Sequence, residues 1–119
     1  MSMKQISTLL VGLALITSFQ AKADWQNADN YRQSDKTDIY LAASLNAYTA
    51  ANVNLEGLNQ APLYCQPEKV DLGPEHAVSI FEKELQYRMM DGSRNSPFWK
   101  ETDLEYVLLW GLQRAFPCE

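Results

Sequence analysis

The chain has little with which to build a catalytic or metal site. Its 119 residues include one histidine, His76, and two cysteines, Cys65 and Cys118. Zinc-type centres gather several imidazole and thiolate ligands, and His76 has no second histidine to complete such a set. A general-base histidine also needs a partner that orients it; at the first turn of a predicted helix, beside Glu75, His76 reads as a solvated residue. Glycine is scarce, with five residues, and none forms a phosphate-cradling loop: Asp91-Gly92-Ser93-Arg94 is a turn, not a nucleotide motif. No cofactor and no metal are expected. Beyond residue 23, no apolar run approaches the roughly 20 residues needed to cross a bilayer.

The one sustained apolar run stands at the start. "MSMKQISTLLVGLALITSFQAKA" has Lys4, a greasy middle from about Ile6 to Ile16, and Ala21-Lys22-Ala23, the layout of a secretory signal peptide over residues 1–23. The run is too short for a membrane anchor, and no cysteine follows it to carry a lipid. The expected mature chain is Asp24–Glu119, 96 of the 119 residues. Loss of Lys4 and Lys22 leaves eight basic against fifteen acidic residues, a net charge of −7. Such a surface argues against nucleic acid and anionic lipid as partners and suits a basic protein.

Both cysteines remain after cleavage, and in an oxidising compartment two cysteines allow one pairing, Cys65–Cys118. Closing a loop of over fifty residues stabilises by roughly 4 kcal/mol in the chain-entropy model. That is a large share of the roughly 5–15 kcal/mol that holds a small domain together. The bridge would also tie down a chain end, "FPCE", that otherwise frays.

Hydrophobic spacing predicts helices throughout. Residues 24–38 are polar and aperiodic and read as a loose N-terminal arm, in which Trp25 and Tyr31 either dock or stand exposed as contact residues. The periodic pattern begins at about Asp35, and the helical domain is taken as 39–119. Leu41, Leu45, Tyr48, Asn52 and Leu55 share one face of a first helix that ends near Gly57. Pro74 fits the first position of a second helix, whose repeat is Ala77, Phe81, Leu85 and Met89. Thr102 and Glu105 match a capping box that opens a last helix. Leu104, Leu108, Gly111 and Ala115 line its face, with Gly111 marking close packing against another helix, and Pro117 stops it. The fold class is all-α, a small bundle of three to four helices braced by one disulfide.

Acidic pairs offer little chemistry. Glu82 with Glu84, and Asp103 with Glu105, lie two apart on predicted helices, so they point to different faces and read as solvated surface. A polar stretch between the last two helices is the contact candidate, with Asp91, Gly92, Ser93, Arg94, Asn95 and Ser96 as partner-binding residues. A plain linker is the equally simple reading of its composition.

Three blocks carry a family resemblance: "YLAASLNAYTAANVNLEGL", "LYCQPEKVDLGPEHAVSIFEKEL" and "DLEYVLLWGLQRAFPC". Together they resemble the Tai-type immunity proteins, small periplasmic helical proteins that neutralise peptidoglycan amidase toxins delivered by type VI secretion. The more specific parts are Cys65-Gln66-Pro67-Glu68 with Val70, and Ala115-Phe116-Pro117-Cys118. In the first block the family tends to have Gly-Tyr-Ile, often near another cysteine; this chain has Ala47-Tyr48-Thr49 and no cysteine there. The resemblance implies a periplasmic, non-enzymatic inhibitor, often a homodimer, that plugs an amidase active site with a protruding loop, here by position 90–97. The alternative is a periplasmic carrier or chaperone holding an apolar ligand in a cavity lined by Phe81, Leu85, Leu108 and Leu112. An enzyme has the least support, for want of a nucleophile–base pair.

Overall fold

Helix α1 spans Asp35–Gly57, α2 spans Pro74–Met90 and α3 spans Leu104–Ala115, with short 3-10 turns at Asp24–Gln26 and Ala28–Asn30 ahead of them. These elements come from a computed structural model that describes residues 24–90 and 100–119. Among the described residues there is no β-strand, only an isolated antiparallel bridge between Asn27 and Asp103. The fold is the all-α bundle braced by a disulfide that the spacing predicts.

Each end of α1 has a local cause. Ser34 and Thr37 form a reciprocal capping box: the Thr37 amide donates to Ser34 Oγ at 3.3 Å, and the Ser34 amide donates to Thr37 Oγ1 at 2.9 Å. This satisfies amides that the first turn leaves without helical acceptors. At the other end Asn59 takes the left-handed conformation, φ 56°. The Gln60 amide then reaches Leu55 O at 2.8 Å and the Asn59 amide reaches Glu56 O at 3.1 Å. That pattern is a Schellman ending. The helix ends at Gly57 as the spacing predicts, and Asn59, the first residue of the Asn-Gln-Ala-Pro segment that follows, supplies the left-handed turn.

The core is formed by Leu41 and Leu45 of α1, Ala77 and Phe81 of α2, and Leu104, Val107, Leu108 and Leu112 of α3, with Tyr64 from the connector and Ala28 from the N-terminal segment. The α1 face is as predicted, with Leu41, Leu45 and Asn52 buried. On α2 the outer half of the predicted stripe is corrected. Met89 is 64% exposed, and Glu84, read as solvated surface, is buried at 1%. A step of four residues overshoots the helical repeat by about 40°, so the 77–81–85–89 series rotates off the buried face. Position 84, seven after Ala77, returns to it. On α3, Ala115 is exposed while Val107 and Leu112 are buried.

The capping box at Thr102 is also corrected. The N-cap of α3 is Asp103, and its side chain makes no capping hydrogen bond. Glu105 turns instead toward α1: the Tyr40 hydroxyl donates to its Oε2, and the Tyr48 hydroxyl donates to its backbone carbonyl at 2.6 Å. Burial and the nearby Glu105 carboxylate push the Tyr48 phenol up to about 12.

The N-terminal arm, residues 24–38, is not loose. Ala28 is buried, and its amide donates to Thr102 O at 2.9 Å. Trp25 meets Tyr40 edge-on at 5.3 Å between ring centroids, and Tyr31 meets Phe81 at 4.6 Å. Three apolar anchors suffice to hold a segment that has no helical period of its own.

Candidate functional site

The expected disulfide is present, joining Cys65 and Cys118 across a separation of 53 residues with Cα atoms 5.0 Å apart. The Cys65 amide donates to Phe116 O at 2.9 Å, so backbone pairing aligns the two segments beside the sulfurs. The connector is held from α1 as well: Asn52 Nδ2 donates to Tyr64 O at 3.1 Å, and the Leu63 amide donates to Asn52 Oδ1 at 2.7 Å. The bridge therefore joins the chain before α2 to the chain after α3. Residues 91–103 connect the other ends of these two helices.

The contact candidates Asp91, Gly92, Ser93, Arg94, Asn95 and Ser96 lie outside the described residues. What the structure does define is the contact between the helices that carry them. Buried Glu84 receives Arg88 Nε at 2.8 Å from its own helix and Arg114 Nε at 2.6 Å from α3. Arg88 stacks over Trp110 at 4.0 Å, and Arg114 over Tyr87 at 3.7 Å. The hydrogen bond to Glu84 raises the pKa of Arg114 above its ordinary value. Close by, a Cβ on Gly111 would lie 2.9 Å from Ile80 Cγ2 and 3.0 Å from Ile80 O. The two backbones approach closely, as Gly111 predicts. Sequence reasoning missed the Glu84 cluster, although an acid with arginine four residues on, both on the buried stripe, was its signal.

His76 has a structural task. Its Nδ1 accepts from the Gly73 amide at 2.8 Å, closing the turn that leads into α2. Both cysteine sulfurs are oxidised, so neither is available as a thiolate beside it. Among the described residues, no group of three or more metal-binding side chains converges. No described helix is long and apolar enough to cross a membrane.

The cavity expected of an apolar-ligand carrier does not form from the four residues named for it. Phe81, Leu108 and Leu112 each have 0% exposure, and a side chain without accessible surface cannot line a void that admits a water molecule. A concavity lies elsewhere, as an open groove of about 830 Å³ along the outer side of α2, bounded by Tyr31, Asp38, Val78, Glu82, Leu85 and Met89 among others.

Comparison with known proteins returns no matching family model, no matching curated protein and no matching solved structure.

Proposed function

We propose that the protein is an exported immunity protein: in the periplasm it binds a peptidoglycan amidase toxin delivered by type VI secretion and blocks its active site with the stretch Asp91–Ser96. It acts by recognition and not by turnover. The observation that carries the reading is the joining of the two most specific motif blocks. Cys65-Gln66-Pro67-Glu68 and Ala115-Phe116-Pro117-Cys118 meet through the disulfide and the Cys65–Phe116 backbone hydrogen bond. The disulfide holds α2 and α3 together, so the helix pair itself has little further freedom to lose on docking. The acidic surface, net −7 after removal of residues 1–23, steers it toward a basic partner.

The experiment is direct. The protein should co-purify with an amidase encoded beside its gene and inhibit that enzyme on peptidoglycan, and its deletion should sensitise cells to attack by their sisters. Purified amidases of this class that are neither bound nor inhibited at micromolar concentration would refute the pairing. Export is checked separately, by whether the periplasmic protein begins at Asp24.

A further inference from the structure

The groove along the outer side of α2 is explained neither by the core nor by the disulfide. Val78, Leu85 and Met89 line it, with Met90 at one end. The two methionines are 64% and 80% exposed. Exposed apolar surface rimmed by polar groups marks interaction sites, and methionine adapts to varied partners. The rim is mostly acidic: Asp38, Glu75 and Glu82 face a single cation, Lys83. Two polar atoms in its wall, the Tyr31 hydroxyl and Asp38 Oδ1, are buried with no hydrogen-bond partner among the described residues. Burial first, then the charges of Glu82 and Asp38, push the Tyr31 phenol up to about 12, so the groove wall lies in a negative field.

We propose that this groove docks a basic, apolar segment of a protein partner, with a lysine or arginine over Asp38 and Glu82 and a large aliphatic side chain against Val78, Leu85 and Met89. The apolar wall needs an apolar group, and the acidic rim repels nucleic acid and anionic headgroups. It disfavours a second copy of this chain as well, because both faces would bring the same excess of carboxylates. The proposal rests on the immunity reading only for which protein supplies the segment. It adds a second recognition surface on α2, apart from Asp91–Ser96.

The test uses the purified, disulfide-bonded protein and a synthetic helical peptide with leucine on one face and lysine on the other, and a glutamate counterpart. Binding is read by amide chemical shifts and by fluorescence anisotropy at two ionic strengths. The lysine peptide should bind, perturb residues of α2, and weaken with salt; the glutamate peptide should not bind. Glu82→Lys and Met89→Ser, both at exposed positions that leave the core intact, should each weaken binding by about fivefold to tenfold. Glu56→Lys changes net charge equally but borders a different recess, and it should change binding less than twofold. Equal losses in Glu56→Lys and Glu82→Lys, or equal binding of the two peptides, would overturn the proposal. So would a concentration-dependent dimer that Met89→Ser abolishes, which would give the groove to a second copy. An amidase that wild-type protein fails to bind refutes the functional reading and leaves the peptide result intact. An amidase bound equally by wild type, Glu82→Lys and Met89→Ser overturns the groove proposal alone.

Discussion

Replacing Gly111 with alanine should destabilise the protein, although the same change in an ordinary helix interior stabilises by about 1 kcal/mol. The reversal follows from the α2–α3 contact. The new methyl would lie 2.9 Å from Ile80 Cγ2, 3.0 Å from Ile80 O and 3.1 Å from Glu84 Cβ. None of these neighbours yields easily. The isoleucine is β-branched and stiff, its carbonyl belongs to the α2 backbone, and Glu84 is pinned by two arginines. Overpacking of this kind costs about 1–3 kcal/mol, so the net effect after the propensity gain is about 1 kcal/mol of lost stability. For a domain of this size that lowers Tm by about 4–8 °C. Gly57→Ala is the internal control: nothing lies within 4 Å of a Cβ there, its φ is not positive, and its Tm should hold or rise. Thermal unfolding by circular dichroism, with the disulfide intact, decides the matter. A Tm that rises in Gly111→Ala as it does in Gly57→Ala would show that the two helices do not approach at Gly111.

Other expectations follow from the same packing. Changing Cys65 and Cys118 to serine opens a loop with a separation of 53 residues and should cost about 4 kcal/mol, read as a lower urea midpoint; native protein should show no thiol reactive toward maleimide. Glu84→Gln keeps the side-chain volume but leaves Arg88 and Arg114 without their shared counter-charge, and should cost about 2 kcal/mol. Arg114→Met should cost less, about 1 kcal/mol, because Arg114 is 49% exposed and Arg88 remains; equal losses would mean that Glu84 is not the hub. Tyr31 and Tyr48 have folded pKa values raised to about 12, and Tyr40 is raised also. The unfolded chain therefore releases these protons first. The stabilisation is whole below pH 10 and is lost as pH rises from about 10 to about 12. Tyrosinate absorbance should rise together with loss of helix; phenols that titrate near 10 in a still-folded protein would contradict the buried placement.

Local signals in the sequence were readable where one interaction dominates. The face of α1 follows from Leu41, Leu45 and Asn52 because a long helix against a single core keeps one stripe inward. The bridge follows because two cysteines allow only one pairing. The readings that changed were those where a side chain had a tertiary alternative. Glu105 fits a capping box, yet Tyr40 offers its carboxylate a partner on another helix. Residues 24–31 carry no period, because they are held by separate aromatic contacts and a backbone hydrogen bond to Thr102. Glu84 reads as surface by composition, and its burial depends on Arg88 of its own helix together with Arg114, thirty residues on, which no local spacing reveals. Recognition surfaces leave the weakest trace. The groove draws Tyr31, Gln33 and Asp38 from before and within α1 and the rest from α2, and no spacing rule links those positions.

Helix α2 divides its labour between two faces. Its inner stripe, Ala77, Phe81 and Glu84, is buried and joined to α3 through Gly111 and Arg114. Its outer stripe, Val78, Glu82, Leu85 and Met89, borders the groove. A helix fixed on one side loses little freedom when a partner covers the other, so contacts on the outer stripe translate more fully into affinity. The division makes the two sets of substitutions separable. Changes at Gly111 or Glu84 shift unfolding and should leave peptide affinity unaltered so long as the protein remains folded. Changes at Glu82 or Met89 shift affinity and leave Tm in place. A substitution on the inner stripe that altered binding without lowering stability would show that the groove depends on α2 sliding against α3, and that the helix is not the fixed platform described here.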